Sequence, residues 1–550
     1  MDKSASSVSA ASSSFIKPHN LLTLLLLLST SGCIYVATIC IYRLFLHPFA
    51  HVPGPLLARL TDVYGLYHAW LQDTHLAIHR LHLQYGPIVR YGPDRILVND
   101  VYGMKEIYGY NANFAKGKVY EALRFNPVHS VFNATDKNMH RRKRRLVAQG
   151  FSEAALRASE GCILKHVDRF VDGLLSEDTV STKDGNWVTP KDLSVHANYL
   201  ALDIITDLVF GQSTDALVKP DNRQYRPMLV STGYRMGMAN QMPEAFRTGK
   251  SGQWLDLGTW TLSNMDNQRA QWAGLLRGWA MERIETEKTR IQEPERRDMM
   301  STIINATDPD TGEKLSTQEI VAEAFTLITA GSDTTATAIS ATLFYLSRNP
   351  STCERVVAEI RSRFSSLEDV HMGPILNGCQ YLRACIEEAL RMSAPVITPL
   401  YREAGPGGAI VCGIYVPEGY VAASEAYALH HNEKYYPDSF SYLPERWMPS
   451  YKSEKGSISV SSEAKTAFFT FSHGTRNCAG INLAYLEISL ALARLLWLAD
   501  LRIPSQPKLA RIGGGDRGDK EPMRRRENEY QLYDVFASEK EGPLLEFRRR

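Results

Sequence analysis

The sequence is short of most features that would assign it cheaply. Its 550 residues hold eight cysteines, none in a CxxC pair, so the spacing suggests neither a zinc site nor a dense disulfide framework and fits a reducing compartment. Charge of either sign is not in excess: 62 basic against 60 acidic residues leave +2, which gives no electrostatic case for a nucleic-acid partner. No unit of 20–50 residues repeats, which excludes a solenoid or propeller. From about Leu56 onward there is no long Ser/Gly linker, which argues for one large domain over several joined ones. Recognisable dinucleotide and nucleotide sites are also missing. Gly513-x-Gly515-x-x-Gly518 follows no convincing strand and meets Pro522 where a helix should begin, and "TGKS" at Thr248–Ser251 has Glu244 where a P-loop needs its first glycine.

One absence is informative in itself. Between Lys17 and Arg43 there is no Asp, Glu, Lys or Arg. As a helix, residues 21–42 (LLTLLLLLSTSGCIYVATICIY) would span about 33 Å, enough for a hydrocarbon core. A cleaved signal peptide is the competing reading, with Leu21–Leu28 as its apolar core, but the apolar run continues from Ile34 to Tyr42 instead of ending. The expected organisation is therefore a tail over 1–20, a transmembrane anchor over 21–42, a hinge over 43–58 stiffened by Pro48, Pro53 and Pro55, and one catalytic domain over 59–550. Apolar spacing of three and four dominates that domain, so the fold class is mainly α with a smaller β part. Strands are expected around Pro87–Asp100 and Gly408–Ala423, and a loop over Ser453–Ser462.

Five local patterns carry the chemistry. "LSTQEIVAEAFTLITAGSDTTATAISATLFYLSRNP" (Leu315–Pro350) begins with a capping box at Ser316 and Glu319 and stops at Asn349-Pro350. Its centre, Ala330-Gly331-Ser332-Asp333-Thr334-Thr335, is poor helix material and suggests a local opening with a polar groove; a close helix crossing over small residues is the alternative. Glu388 and Arg391 share a helix face. Arg446 stands in the aromatic-rich "FSYLPERW". "HRRKRR" (His140–Arg145) places His140 and Arg144 on one face and leaves other basic residues for an acidic partner or anionic ligand. Finally, "FFTFSHGTRNCAG" (Phe468–Gly480) sets one thiol, Cys478, among aromatics and glycines in the pattern F-x-x-G-x-R-x-C-x-G.

That loop resembles the haem-binding loop of the cytochrome P-450 haem-thiolate monooxygenases, and the other four patterns fall into that family's order along the chain. The resemblance covers residue 21 to the end and is similar to microsomal members from filamentous fungi; a tryptophan is commoner in the family where His140 stands. It implies haem b with Cys478 as the axial thiolate and sole metal ligand. Phe471, Gly474 and Gly480 would shape the loop, and Arg476, His140, Arg144 and Arg402 would hold the haem propionates. Thr334 would hydrogen-bond the activated oxygen, Asp333 would link it to bulk protons, and Gly331 would make room for it. Glu388, Arg391 and Arg446 would form a buried triad. Phe125, Phe325, Ala330, Val396 and Ile397 are candidate substrate-pocket residues, each more often plain core.

The implied reaction puts one oxygen atom of dioxygen into a lipophilic small molecule by hydroxylation or epoxidation, in fungal secondary metabolism. Electrons would come from a separate NADPH-dependent flavoprotein reductase, or a small haem electron carrier, docking near Cys478 where Arg142 and Lys143 could help. The expected location is the endoplasmic reticulum membrane, single-pass, with the domain facing the cytoplasm and no nucleic-acid partner. Two rivals remain: a haem-thiolate isomerase or peroxide-using enzyme needing no reductase, and a non-catalytic haem sensor or electron carrier. The Asp333-Thr334 pair argues against both.

Overall fold

The computed structural model describes residues 18–124, 127–176, 187–246, 263–289, 299–448, 452–453, 456–457 and 461–550. Phe125 and the segment Thr248–Ser251 lie outside these residues. The chain divides into two units, Met1–Val52 and Pro53–Arg550.

In the first unit, helix α1 (Pro18–Ile41) runs into a π-helical turn, Tyr42–Leu46. The apolar span Leu22–Leu46 is 25 residues with mean hydropathy 2.2 and no part of it buried. Exposed leucine over that length suits a bilayer. The helix thus reaches past the expected boundary at residue 42 and stops only before Pro48, whose ring and missing N–H end it.

The second unit is mainly helical. Six of its helices matter here: α2 (Lys137–Gln149), α3 (Glu153–Leu175), α4 (Leu193–Phe210), α5 (Thr317–Arg348), α6 (Gln380–Met392) and α7 (Ile481–Leu498). Helix α5 runs 32 residues behind the capping box expected from sequence: Ser316 Oγ accepts from Glu319 N while Glu319 Oε2 accepts from Ser316 N. Its centre stays α-helical without interruption, which corrects the expected opening. The hydroxyls there bond back along the helix, Ser332 Oγ to Ile328 O and Thr334 Oγ1 to Ala330 O, and so fit the helix instead of breaking it. Nearly every residue of α5 from Ile320 to Leu346 is buried, so it lies in the core.

A five-stranded sheet has the order β1-β2-β5-β4-β3, from β1 (Ile88–Gly92), β2 (Arg95–Val98), β3 (Phe114–Ala115), β4 (Arg402–Ala404) and β5 (Val421–Ala423). Strands β3 and β4 are antiparallel, with Phe114 opposite Ala404 and Ala115 opposite Glu403. Continuing that register by one residue sets Lys116 opposite Arg402, which matters below. Within the expected loop at 453–462 the described residues show a small hairpin instead, Lys452–Ser453 against Gly456–Ser457. Residues 513–518 form turns with no strand before and no long helix after, so the dinucleotide pattern has no structural counterpart.

Candidate active site

The cysteine loop is built by backbone constraint. Cys478 N donates to Phe471 O at 2.9 Å, closing the loop on itself. Gly474 has φ +69°, and a Cβ there would sit 1.9 Å from Tyr108 O, so only glycine fits. A Cβ on Gly480 would meet the Phe151 ring at 3.3 Å, a milder restriction. The Phe471 ring packs on Tyr485 at 5.2 Å between centroids. Cys478 itself is exposed. Burial of the surrounding loop raises its thiol pKa, while the Gly480 N–H and the Arg144 charge act the other way and favour the thiolate. Helix α7 starts three residues after the thiol, so its N-terminal dipole adds to that effect.

Beside this loop is a concentration of positive charge. Lys116 and Arg402 are buried, and Arg144 and Arg476 are half-buried. Burial and then the charges of Arg402, Arg476 and Arg144 push the Lys116 pKa well down, and burial followed by Arg402 lowers Arg476 to about 10. His140, buried next to Arg476, Lys116, Arg144 and Arg402, is driven to about 3 and is neutral. Cations that depress one another in this way need an anion. Arg476 Nη1 donates to Ala134 O at 2.7 Å, but its Nη2 is buried with no hydrogen-bond partner. An exposed thiol with an N–H and a guanidinium beside it, an orphaned guanidinium nitrogen and a shared cationic cluster are what a haem with two propionates requires, so the residues present fit that group. Lys116 was missed by sequence reasoning. Its only signal was the strand register that pairs it with Arg402, and register is invisible before the sheet is known.

The other arginines are partly committed. Arg144 donates to Asn477 O at 2.7 Å and Asn477 Oδ1 at 2.9 Å, so it braces the cysteine loop from α2. Arg402 Nη1 donates to the Tyr120 hydroxyl at 2.7 Å and to the carbonyls of Leu400 and Tyr401. Arg142 and Lys143, the basic residues of α2 expected to meet a partner, are engaged within the protein. Lys143 is buried and bonds Glu319 at 2.8 Å and Glu323 at 3.4 Å; Arg142 bonds Glu319 at 3.0 Å. The carboxylates at the start of α5 claim them.

Helix α5 reaches the same region. Thr335 Oγ1 donates to Glu487 Oε2 of α7 at 3.0 Å, tying the centre of α5 to the helix that follows Cys478. Along this largely buried helix, Thr326, Thr329, Gly331 and Thr334 are half-buried and Ala330 is exposed; Thr326, Ala330 and Thr334, at spacing four, mark its open face. Asp333 is turned inward: it is buried, its Oδ1 has no hydrogen-bond partner, and burial raises its pKa against the opposing pull of Lys540. At Gly331 a Cβ would lie 2.9 Å from the Ile205 side chain of α4, so the glycine lets the two helices approach closely. Of the pocket candidates, Ala330 is exposed and Val396 half-buried, whereas Phe325 and Ile397 are buried as core residues and carry no sign of lining a pocket. Glu487 also escaped the sequence reading. It is fully inside, its Oε1 has no partner, and burial lifts its pKa to about 8. A lone acid in the apolar run "INLAYLEISL" was the available signal.

The remaining residues form a buried charge cluster. Glu388 and Arg391 are both wholly buried. Arg391 Nε and Nη2 each donate to Glu388 at 2.9 Å, a bidentate pair. Arg446 Nε donates to Oε1 at 3.2 Å, Trp447 Nε1 to Oε2 at 2.9 Å and Leu443 N to Oε1 at 3.1 Å. Burial alone would raise the Glu388 pKa, but Arg391 and then Arg446 hold it below the ordinary value. Arg391 Nη1 also donates to His430 O, and His430 Nε2 faces the amide of Phe469 at 2.8 Å. The cluster therefore supports the segment that leads into the cysteine loop.

Comparison with known proteins agrees with this geometry. The family model "Cytochrome P450" matches residues 61–511. Cytochrome P450 monooxygenase apf7 of Gibberella fujikuroi is 36% identical over 537 residues, covering 94% of this chain and 97% of its own. Cytochrome P450 monooxygenase AKT7 of Alternaria alternata is 36% identical over 516 residues, covering 94% and 95%. Trichothecene C-15 hydroxylase of Fusarium sporotrichioides is 30% identical over 497 residues, covering 88% and 94%. With the cysteine loop, the cationic cluster and the long central helix in place, the chain belongs to the cytochrome P450 family of haem-thiolate monooxygenases.

Proposed function

We propose that this protein inserts one oxygen atom of dioxygen into a lipophilic small molecule, by hydroxylation or epoxidation, in a fungal secondary-metabolite pathway. Electrons come from a separate NADPH-dependent flavoprotein reductase, and α1 anchors the enzyme in the endoplasmic reticulum membrane with its domain in the cytoplasm. The observation that carries this reading is the Cys478 loop with its cationic cluster, joined through the Thr335–Glu487 bond of the helix after the loop to α5, on which Thr334 follows the buried acid Asp333. The relatives' names, including a hydroxylase of trichothecene, support the reaction class.

When bound, haem supplies an iron centre able to activate dioxygen, and a thiolate ligand favours O–O cleavage. Cys478 would be that ligand, with Gly480 N–H and Arg144 opposing the rise that burial gives its pKa. Arg476 and Lys116, with Arg402, would neutralise the propionates, and Arg144 keeps the loop in place. Thr334 Oγ1 donates to Ala330 O at rest and can rotate to offer its proton to the open face. Asp333 carries the proton supply. It feels Lys540, Glu539 and Arg226, and the last two pair with each other near the surface, a route between bulk water and α5. Glu388, Arg391 and Arg446 act as a structural triad behind the loop.

The test uses microsomes holding this protein and a fungal reductase, a lipophilic metabolite extract and isotopically labelled dioxygen. One labelled oxygen atom per product, dependent on NADPH, is expected, and Thr334→Ala should consume more NADPH per product while keeping its haem. Product formed from peroxide alone, or unlabelled product, would reject the proposal.

A further inference from the structure

Away from the haem region, helices α3 and α4 bring together Cys162, His166 and Asp207. Cys162 and His166 are four residues apart on one face of α3, and Asp207 lies in the last turn of α4. One ligand-capable atom from each, a sulfur, an imidazole nitrogen and a carboxylate oxygen, lies within 4.8 Å of the other two. His166 Nε2 is 2.8 Å from Asp207 Oδ2. His166 and Asp207 are buried, and Cys162 is half-buried, which leaves a path from solvent. The second ring nitrogen, His166 Nδ1, is buried with no hydrogen-bond partner. A plain helix-to-helix hydrogen bond accounts for the histidine and aspartate. It does not account for the orphaned nitrogen.

We propose that these three side chains bind one zinc-class divalent ion and clamp α3 to α4. Thiolate, imidazole and carboxylate together suit a borderline ion of tetrahedral preference, with water in the fourth position, and disfavour the all-oxygen ions magnesium and calcium. Nε2 ligates by giving up its bond to Asp207, its proton passing to the unpartnered Nδ1, and Asp207 then becomes the third ligand. Binding releases the thiol proton to solvent. Lys165 Nζ, 3.7 Å from Asp207 Oδ2, is on a half-exposed side chain that can move out to water. The absence of CxxC pairs hid this set, because its members come from two helices and three residue types. Asp207 is two residues from Ile205, which fills the space beside Gly331 of α5, so an ion that fixes α4 also acts on packing next to the active-site helix.

The full-length holoenzyme, stripped with a chelator and dialysed against zinc, is assayed for zinc per haem beside Cys162→Ser and Asp207→Asn. Zinc bound by the wild type should fall by one equivalent in both variants while their reduced carbon monoxide spectra stay normal. On the wild type alone, zinc should slow alkylation of Cys162 at least tenfold, read by mass spectrometry, and leave half-buried Cys353 unaffected. The alkylation result decides the matter by itself if the variants fail to fold. Equal zinc in wild type and variants, or Cys162 alkylation indifferent to zinc, overturns the proposal.

Discussion

Replacing Glu388 by alanine tests how the cysteine loop is supported. The carboxylate is wholly buried and is the only acidic group bonded to Arg391 and Arg446 among the described residues. Its loss leaves two buried guanidinium groups without a counter-charge. Breaking a buried ion pair by removing one partner costs about 3–5 kcal/mol. Trp447 Nε1–H and Leu443 N–H also lose their acceptor, at about 1–3 kcal/mol each where water cannot reach. The sum exceeds about 5 kcal/mol, on the order of a 10⁴-fold fall in the folded population, against a typical total stability of about 5–15 kcal/mol. Glu388→Ala should therefore accumulate little haem protein. Glu388→Gln, which keeps the shape and one acceptor but not the charge, should lie between. The assay is the ratio of haem to immunodetected protein in microsomes, with thermal inactivation of whatever folds. Wild-type haem content and stability in Glu388→Ala would refute the assignment of the cluster as the support of the loop.

Three further outcomes follow from the geometry. Gly474→Ala should abolish haem incorporation, since it combines a φ of +69° with a contact to backbone that cannot yield, while Gly480→Ala, facing only a ring edge, should retain much of it; equal behaviour of the two would contradict this. Arg476→Leu and Lys116→Met should each speed haem loss at least tenfold, measured by transfer to a haem acceptor, because each removes a charge from the propionate cluster. Glu487 gives a pH dependence. Its folded pKa of about 8 lies above the ordinary 4.5, so the folded state keeps a proton that the unfolded chain releases. Stability from this group is complete below pH 4.5 and is lost as pH rises to 8, by at most about 5 kcal/mol at ~1.36 kcal/mol per pKa unit. Urea unfolding of Glu487→Gln should show a flatter profile between those limits, and an unchanged profile would count against a neutral buried Glu487.

Much of the site was legible because its parts are local. The capping box, the cysteine loop and the ExxR spacing each lie within a few residues, so backbone geometry follows from sequence with little tertiary input. What was missed depends on pairing across the chain. Lys116 joins Arg402 only through strand register, Glu487 meets Thr335 only where two helices cross, and Lys143 is claimed by Glu319 and Glu323 from another helix. The packing role of Gly331 was hidden for the same reason. Its neighbour Ile205 comes from a helix more than a hundred residues earlier, and the crossing could not be seen from the helix's own composition. The ion pair of Glu388 and Arg391 was the reverse case: spacing gave the contact, but not that it would be dry.

The most direct test of the central claim is the carbon monoxide difference spectrum of the reduced protein in microsomes, beside Cys478→Ser. A strongly red-shifted Soret band in the wild type, lost in the variant, is the predicted result and makes Cys478 the axial thiolate. A well-folded wild type without that shift, or a variant that keeps it, would contradict the account.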